Sequence, residues 1–185
     1  MKRYINTTRR VFAGLIGISL LSLAGCSPQQ DAQTYTSADS FVASQIFLVR
    51  HAEKTAAKTD PALTQAGQDR AQLLANMLGD VGITHIHSSD YKRTRDTAAP
   101  LAAHLGLEVM IYDPRDLEGM AAKLKSMSGR HLVVGHSNTT PPLTELLGGE
   151  GGRPIVEATE YDRLYIVTPT ANGEVTTTLL RFGAN

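Results

Sequence analysis

The sequence predicts an α/β fold: a three-layer domain with a mostly parallel central sheet flanked by helices. Three observations predict it. From Ser44 onward, short apolar runs alternate with longer stretches of helical periodicity. Glycine and proline punctuate those stretches, as at Gly79, Pro141 and Gly148. The chain has 185 residues, 42% of them hydrophobic, which is enough for one ordinary domain with a real core.

"QIFLV" (45–49) reads as a first strand. Residues 63–80 carry Ala71, Leu74 and Leu78 on one helical face, and Gly79 marks the stop. Residues 83–89 form a second strand, and 91–106 a second helix with a kink or restart expected at Pro100, which has no N–H to give the preceding turn. "LEVMIY" (107–112), residues 116–127 and "HLVVGH" (131–136) give strand, helix and strand. A short helix over 141–149 is opened by proline and closed by glycine. Two further strands, 161–169 and 173–182, are joined by a turn at "TANG".

The first 43 residues lie outside this pattern. Lys2, Arg3, Arg9 and Arg10, with no acid among them, precede the apolar run 11–24. That is the layout of a secretory signal, and the run is shorter than the ~20 residues of a spanning helix. "LAGC" resembles the bacterial lipobox, which makes 1–25 a lipoprotein signal peptide and Cys26, the single cysteine, the lipidated residue. The export route is open, because "TRRVF" (8–12) also resembles a twin-arginine signal. Residues 26–43 read as lipidated cysteine and polar tether, and 44–185 as the domain. Ser27 after the cysteine favours the outer membrane of a Gram-negative cell, by analogy with the lipoprotein sorting rule. Without 1–25 the chain keeps 14 Lys+Arg against 18 Asp+Glu, which argues against nucleic-acid partners.

In a parallel sheet, ligands sit beyond the carboxyl ends of the strands. Three polar clusters fall there: Arg50-His51 after the first strand, "SSDYKRT" after the second and Gly135-His136 after the fourth. Arg50 and Arg93 offer planar, permanently charged forks for an oxyanion, and Arg93 begins a helix whose N-terminus would add N–H donors. A neutral His51 is a nucleophile or base. Two arginines and two histidines around one point suit a phosphoryl group, whose equatorial oxygens gather charge in the transition state. His85 and His87 share a strand face, which strand alternation alone produces; no metal and no cofactor are expected.

"LVRHAEK", "SSDYKRTRDTAAPLA" and "VVGHSNT" resemble the three signature segments of the histidine phosphatase superfamily, the phosphoglycerate mutase-like fold, and "EYDRLYIVT" resembles its late strand. Ala52 stands where many members have glycine. The resemblance implies that His51 is the nucleophile and becomes a phosphohistidine. It implies that Arg50, Arg93 and His136 bind the phosphate oxygens, with His136 also part of the catalytic set. It further implies a carboxylic acid for the leaving oxygen, for which Glu118, 25 residues after Arg93, is the candidate and Glu53 the alternative. Ser88, Thr97 and Asn138 are secondary candidates for shaping the site.

The expected activity is hydrolysis of a small phosphomonoester outside the cytoplasm by an envelope lipoprotein anchored to the membrane through its lipid. The alternatives are a catalytically silent phosphate-binding module and a phosphoglycerate mutase-like phosphotransferase.

Overall fold

The computed structural model describes residues 44–170 and 172–184. The segments expected to be a signal peptide (1–25) and a lipidated cysteine with its tether (26–43) lie outside the described residues.

The chain order is β1 (Gln45–Arg50), α1 (Gln65–Leu78), β2 (His85–Ser89), α2 (Lys92–Leu105), β3 (Val109–Tyr112), α3 (Leu117–Ser126), β4 (Arg130–Gly135), α4 (Thr140–Leu146), β5 (Arg163–Pro169) and β6 (Val175–Arg181). The sheet runs β3-β2-β4-β1-β5-β6. β1, β2, β3 and β4 pair in parallel, as the intervening helices require. β5 runs antiparallel to β1, and a tight turn returns β6 antiparallel to β5.

Strand alternation sends successive residues to opposite faces, and each face meets its own helix pair. Phe47, Val49, Ile86, Leu132 and Val134 pack with Leu74 and Leu78 of α1 and with Ala98 and Leu101 of α2. Ile46, Leu48 and Val133 pack with Met120 and Leu124 of α3 and with Leu143 of α4. This is the three-layer arrangement expected. Residues such as Leu101 and Leu124 are fully buried, each worth about 1.5–3 kcal/mol relative to exposure.

Local chemistry fixes the helix starts. Thr64 caps α1 by accepting from the Gly67 N–H at 3.1 Å, and Asp116 caps α3 by accepting from the Gly119 N–H at 2.9 Å. Gly67 is required for a second reason: a Cβ there would lie 2.3 Å from the Glu53 carbonyl, so α1 lies against the segment after β1 only because that position is bare.

Two expectations change. α2 passes through Pro100 without restarting. Pro100 sits beside exposed Ala99, and the carbonyl it leaves free, that of Asp96, is on a partly exposed turn where water can serve it. The N-terminus of α2 is also less open than expected. The Lys92 N–H donates to the Asp60 carboxylate at 2.8 Å. Asp60 itself holds a positive φ of 40°, a conformation that Asp tolerates better than most residues.

Candidate active site

Parallel pairing brings the ends of β1, β2 and β4 to one rim. Arg50 is in register with Gly135, and the His51 N–H donates to the Gly135 carbonyl at 2.9 Å. The two histidine-bearing strand ends are therefore locked side by side. A Cβ on Gly135 would fall 2.8 Å from the Thr139 hydroxyl and 2.9 Å from that of Tyr112, so glycine before His136 is a packing necessity.

The His51 ring is buried, with its centroid 5.5 Å from that of His136 in an edge-to-face arrangement. His51 Nδ1 lies 2.8 Å from the Ala52 carbonyl oxygen. A carbonyl can only accept, so Nδ1 carries the proton and Nε2 keeps its lone pair. Burial pushes the His51 pKa down to about 3, with Arg50, His136 and Arg93 adding to the effect. At neutral pH the imidazole is thus uncharged. Arg50 and Arg93 contribute, but burial is the larger cause.

His136 is oriented by two partners. Arg93 Nη2 lies 3.3 Å from its Nδ1, and Ser89 Oγ lies 2.8 Å from its Nε2. A guanidinium only donates, so Nδ1 is the acceptor and Nε2–H donates to Ser89. Ser89 Oγ donates on to Thr94 Oγ1 at 3.1 Å. Burial first, then Arg93 and Arg50, brings the His136 pKa down to about 4. Tyr91 stands edge-on to His136 and lies beneath the Arg93 guanidinium, 4.5 Å from ring centroid to Cζ. Thr97 accepts the Ala52 N–H at 3.0 Å and donates to the Arg93 carbonyl at 2.7 Å, tying the loop after His51 to the helix that carries Arg93.

A cavity of about 380 Å³ opens on this rim, lined by His51, Tyr91, Arg93, Pro114, Arg115, His136, Ser137, Asn138, Thr139 and Glu157. A neighbouring cavity of about 450 Å³ shares Tyr91, Pro114 and Arg115 and adds Asp90, Ile111, Tyr112 and Asp113. Arg50 lies behind the first cavity, 2% exposed. Its Nη1 and Nη2 donate to the carbonyls of Glu160 and Glu157, at 2.9 and 2.7 Å, and its Cζ lies 4.0 Å from the Tyr161 ring centroid. The buried Nε atoms of both Arg50 and Arg93 have no partner among the described residues, an arrangement that favours an anion between them.

The structure brings together His51, His136 and Arg93, with Arg50 directly behind. Neither carboxylate candidate joins them. Glu118 is exposed in the first turn of α3, and the capping of that turn by Asp116 leaves it outside the residues lining the cavity. Both Glu53 oxygens accept from Arg70, at 2.8–3.0 Å. The carboxylic residue that does line the cavity is Glu157. Ser88 donates locally to the Ser89 carbonyl, and it is Ser89 that meets His136. Among the described residues no cluster of histidine, cysteine and carboxylate side chains is arranged to hold a metal.

Residues 46–122 match the family model described as histidine phosphatase superfamily, branch 1. A curated relative, "Probable phosphoglycerate mutase GpmB" of Serratia proteamaculans, is 41% identical over 78 residues, which is 38% of this chain. The chain covers only 36% of that relative's length. Among solved structures, the mycobacterial glucosyl-3-phosphoglycerate phosphatase superimposes with a TM-score of 0.57 at 14% identity, over 76% of this chain and 99% of its own. The protein histidine phosphatase SixA, complexed with tungstate, gives 0.56 at 22% identity, over 74% and 96%. The fold is phosphoglycerate mutase-like.

Proposed function

We propose that the protein is a phosphatase that hydrolyses a small phosphomonoester through a phosphohistidine on His51. One observation carries the reading: the Nδ1–H of His51 is fixed on the Ala52 carbonyl, which leaves an unprotonated Nε2 on a ring that lines the cavity with His136 and Arg93. Nε2 attacks phosphorus as the bond to the leaving oxygen breaks. Arg93 and His136 neutralise the equatorial oxygens, and the charge of Arg50 reaches the same point from behind. His136 donates from Nδ1 once it has taken up a second proton from solvent. Glu157 gives its proton to the leaving oxygen, then removes one from the water that hydrolyses the phosphohistidine and releases inorganic phosphate.

Export and lipid anchoring through Cys26 complete the proposal and rest on the sequence of residues 1–26. The name of the curated relatives favours a second reading, transfer of the phosphoryl group to an acceptor hydroxyl instead of water. The test is inorganic phosphate release by the full chain from a phosphomonoester panel, with His51→Ala beside it and products analysed for transferred phosphate. Release that disappears in His51→Ala supports the hydrolase. A phosphorylated acceptor without free phosphate supports transfer, and binding of phosphate without any turnover overturns both.

A further inference from the structure

The segment between α4 and β5 crosses behind the catalytic rim, and its geometry turns on Glu160. This side chain is 7% exposed and accepts six hydrogen bonds. Arg163 gives two, from Nε at 2.7 Å and Nη2 at 3.0 Å. Arg153 gives two at 3.0 Å, Arg181 gives one at 2.8 Å, and the Val156 N–H gives one at 3.0 Å. Arg163 leads the groups that hold this carboxylate far below the usual range. Arg163 also donates to the Arg153 carbonyl at 2.7 Å and to the Tyr165 hydroxyl at 2.8 Å, and Tyr165 donates to the Gly151 carbonyl at 2.9 Å. Residues 151–160 are thereby fastened to β5 and β6.

The same strap holds Arg50. The Glu160 carbonyl receives Arg50 Nη1, the Glu157 carbonyl receives Nη2, and Tyr161, the next residue, stacks on the guanidinium. Each Nη carries two hydrogens, and the bonds shown use one on each. The Nε–H, which has no partner among the described residues, is left for an oxyanion. A buried guanidinium has many rotamers to lose, and this one is aimed from outside its own strand.

We propose that Glu160 is a positioning residue: through the strap it clamps, it fixes the guanidinium of Arg50 for binding the phosphoryl group. Surface ion pairs contribute little, but this carboxylate is buried and satisfied by several partners at once, so removing its charge loosens the whole strap. The inference deepens the phosphatase reading and rests on it for the role of Arg50.

The test is a double-mutant cycle on affinity for inorganic phosphate, measured by calorimetry on the full chain, with folding followed by circular dichroism. Glu160→Gln should weaken phosphate binding about tenfold. Arg50→Ala should weaken it further, and the double variant should be no weaker than Arg50→Ala alone. If Glu160→Gln does not fold, Arg153→Gln, whose side chain is 60% exposed, removes two of the six bonds at the surface and should still weaken binding about twofold to threefold. Additive effects of the two substitutions would overturn the proposal. So would unchanged affinity in a folded Glu160→Gln or Arg153→Gln protein. Tighter binding would overturn it too, since the strap would then be shielding Arg50 from phosphate. Wild-type protein that binds no phosphate would take the phosphatase reading down as well, whereas wild-type binding and turnover with an inert Glu160 would remove this inference alone.

Discussion

Two histidine clusters occupy the two ends of the sheet, and burial lowers the pKa of two rings in each: His51 and His136 at one end, His87 and His131 at the other. At the carboxyl rim, His51 and His136 face a cavity with Arg93 beside them and Arg50 behind. At the other end of β2 and β4, His85, His87 and His131 form a stack under α3, with ring centroids 4.6 to 6.4 Å apart. His87 Nε2 and His131 Nδ1 lie 3.2 Å apart, while His87 Nδ1 and His131 Nε2 are buried with no partner among the described residues. Burial brings His87 down to about 3 and His131 down to about 4, much as it brings down His51 and His136. A depressed histidine pKa therefore does not by itself mark the candidate site. What separates the clusters is the company: arginines and an open cavity at one end, parallel rings and Lys123 at the other.

The largest expected effect is at the rim. His51→Ala should reduce turnover by about 10³-fold or more, while His87→Leu, which removes a ring with an equally low pKa, should leave turnover within about threefold. Steady-state kinetics on one substrate checks both, and equal losses would erase the distinction. Arg93→Ala should cost about 10²–10³-fold in kcat/KM, because it removes a donor to the developing charge and the partner of His136 Nδ1. Glu157→Gln should lower kcat about tenfold to a hundredfold for alkyl phosphates and much less for p-nitrophenyl phosphate, whose leaving oxygen needs little protonation. Equal losses on both substrates would remove Glu157 from the proton-donor role.

The stack should declare itself in stability instead. The folded pKa values of His87 and His131 lie below the ordinary histidine value, so the unfolded chain binds more protons between about pH 6.5 and pH 3 to 4. Stability should fall as pH falls through that window, by about 1.4 kcal/mol per pH unit for each histidine that must charge. His51 and His136 contribute in the same direction. His87→Leu should flatten the slope by up to one proton's worth, read from denaturant midpoints between pH 7 and 4. The smallest effect is expected for Ser89→Ala, a few-fold loss in kcat/KM, since it frees the His136 tautomer without removing a charge.

Much of this is legible in the sequence. β1 and β4 read as buried strands because each carries an apolar run, "IFLV" and "LVV", and the histidine after each run is the one the rim displays. α1 announces itself by its apolar face and its stop at Gly79. The misses share a cause: they depend on contacts distant in sequence or on one-residue geometry. The family resemblance, with the spacing from Arg93, points to Glu118, yet the Asp116 cap starts α3 just before it and Glu118 stands on the exposed first turn, outside the residues lining the cavity. Ser88 and Ser89 look alike in the sequence, although only Ser89 reaches His136. Glu160 looks like one acid among many in "EATEYDR", because Arg153, Arg163 and Arg181 converge on it only after β5 and β6 have paired. The third member of the histidine stack, His131, joins His85 and His87 only through the parallel register of β2 and β4.

The catalytic proposal depends most directly on the bond formed at His51. Rapid quench of the full chain with a ³²P-labelled phosphomonoester into alkaline detergent, together with peptide mapping at alkaline pH, measures it. We predict an acid-labile, alkali-stable label on the peptide carrying His51, absent in His51→Ala and present in His87→Leu. Label on another residue, or full turnover with no covalent label under single-turnover conditions, would contradict it.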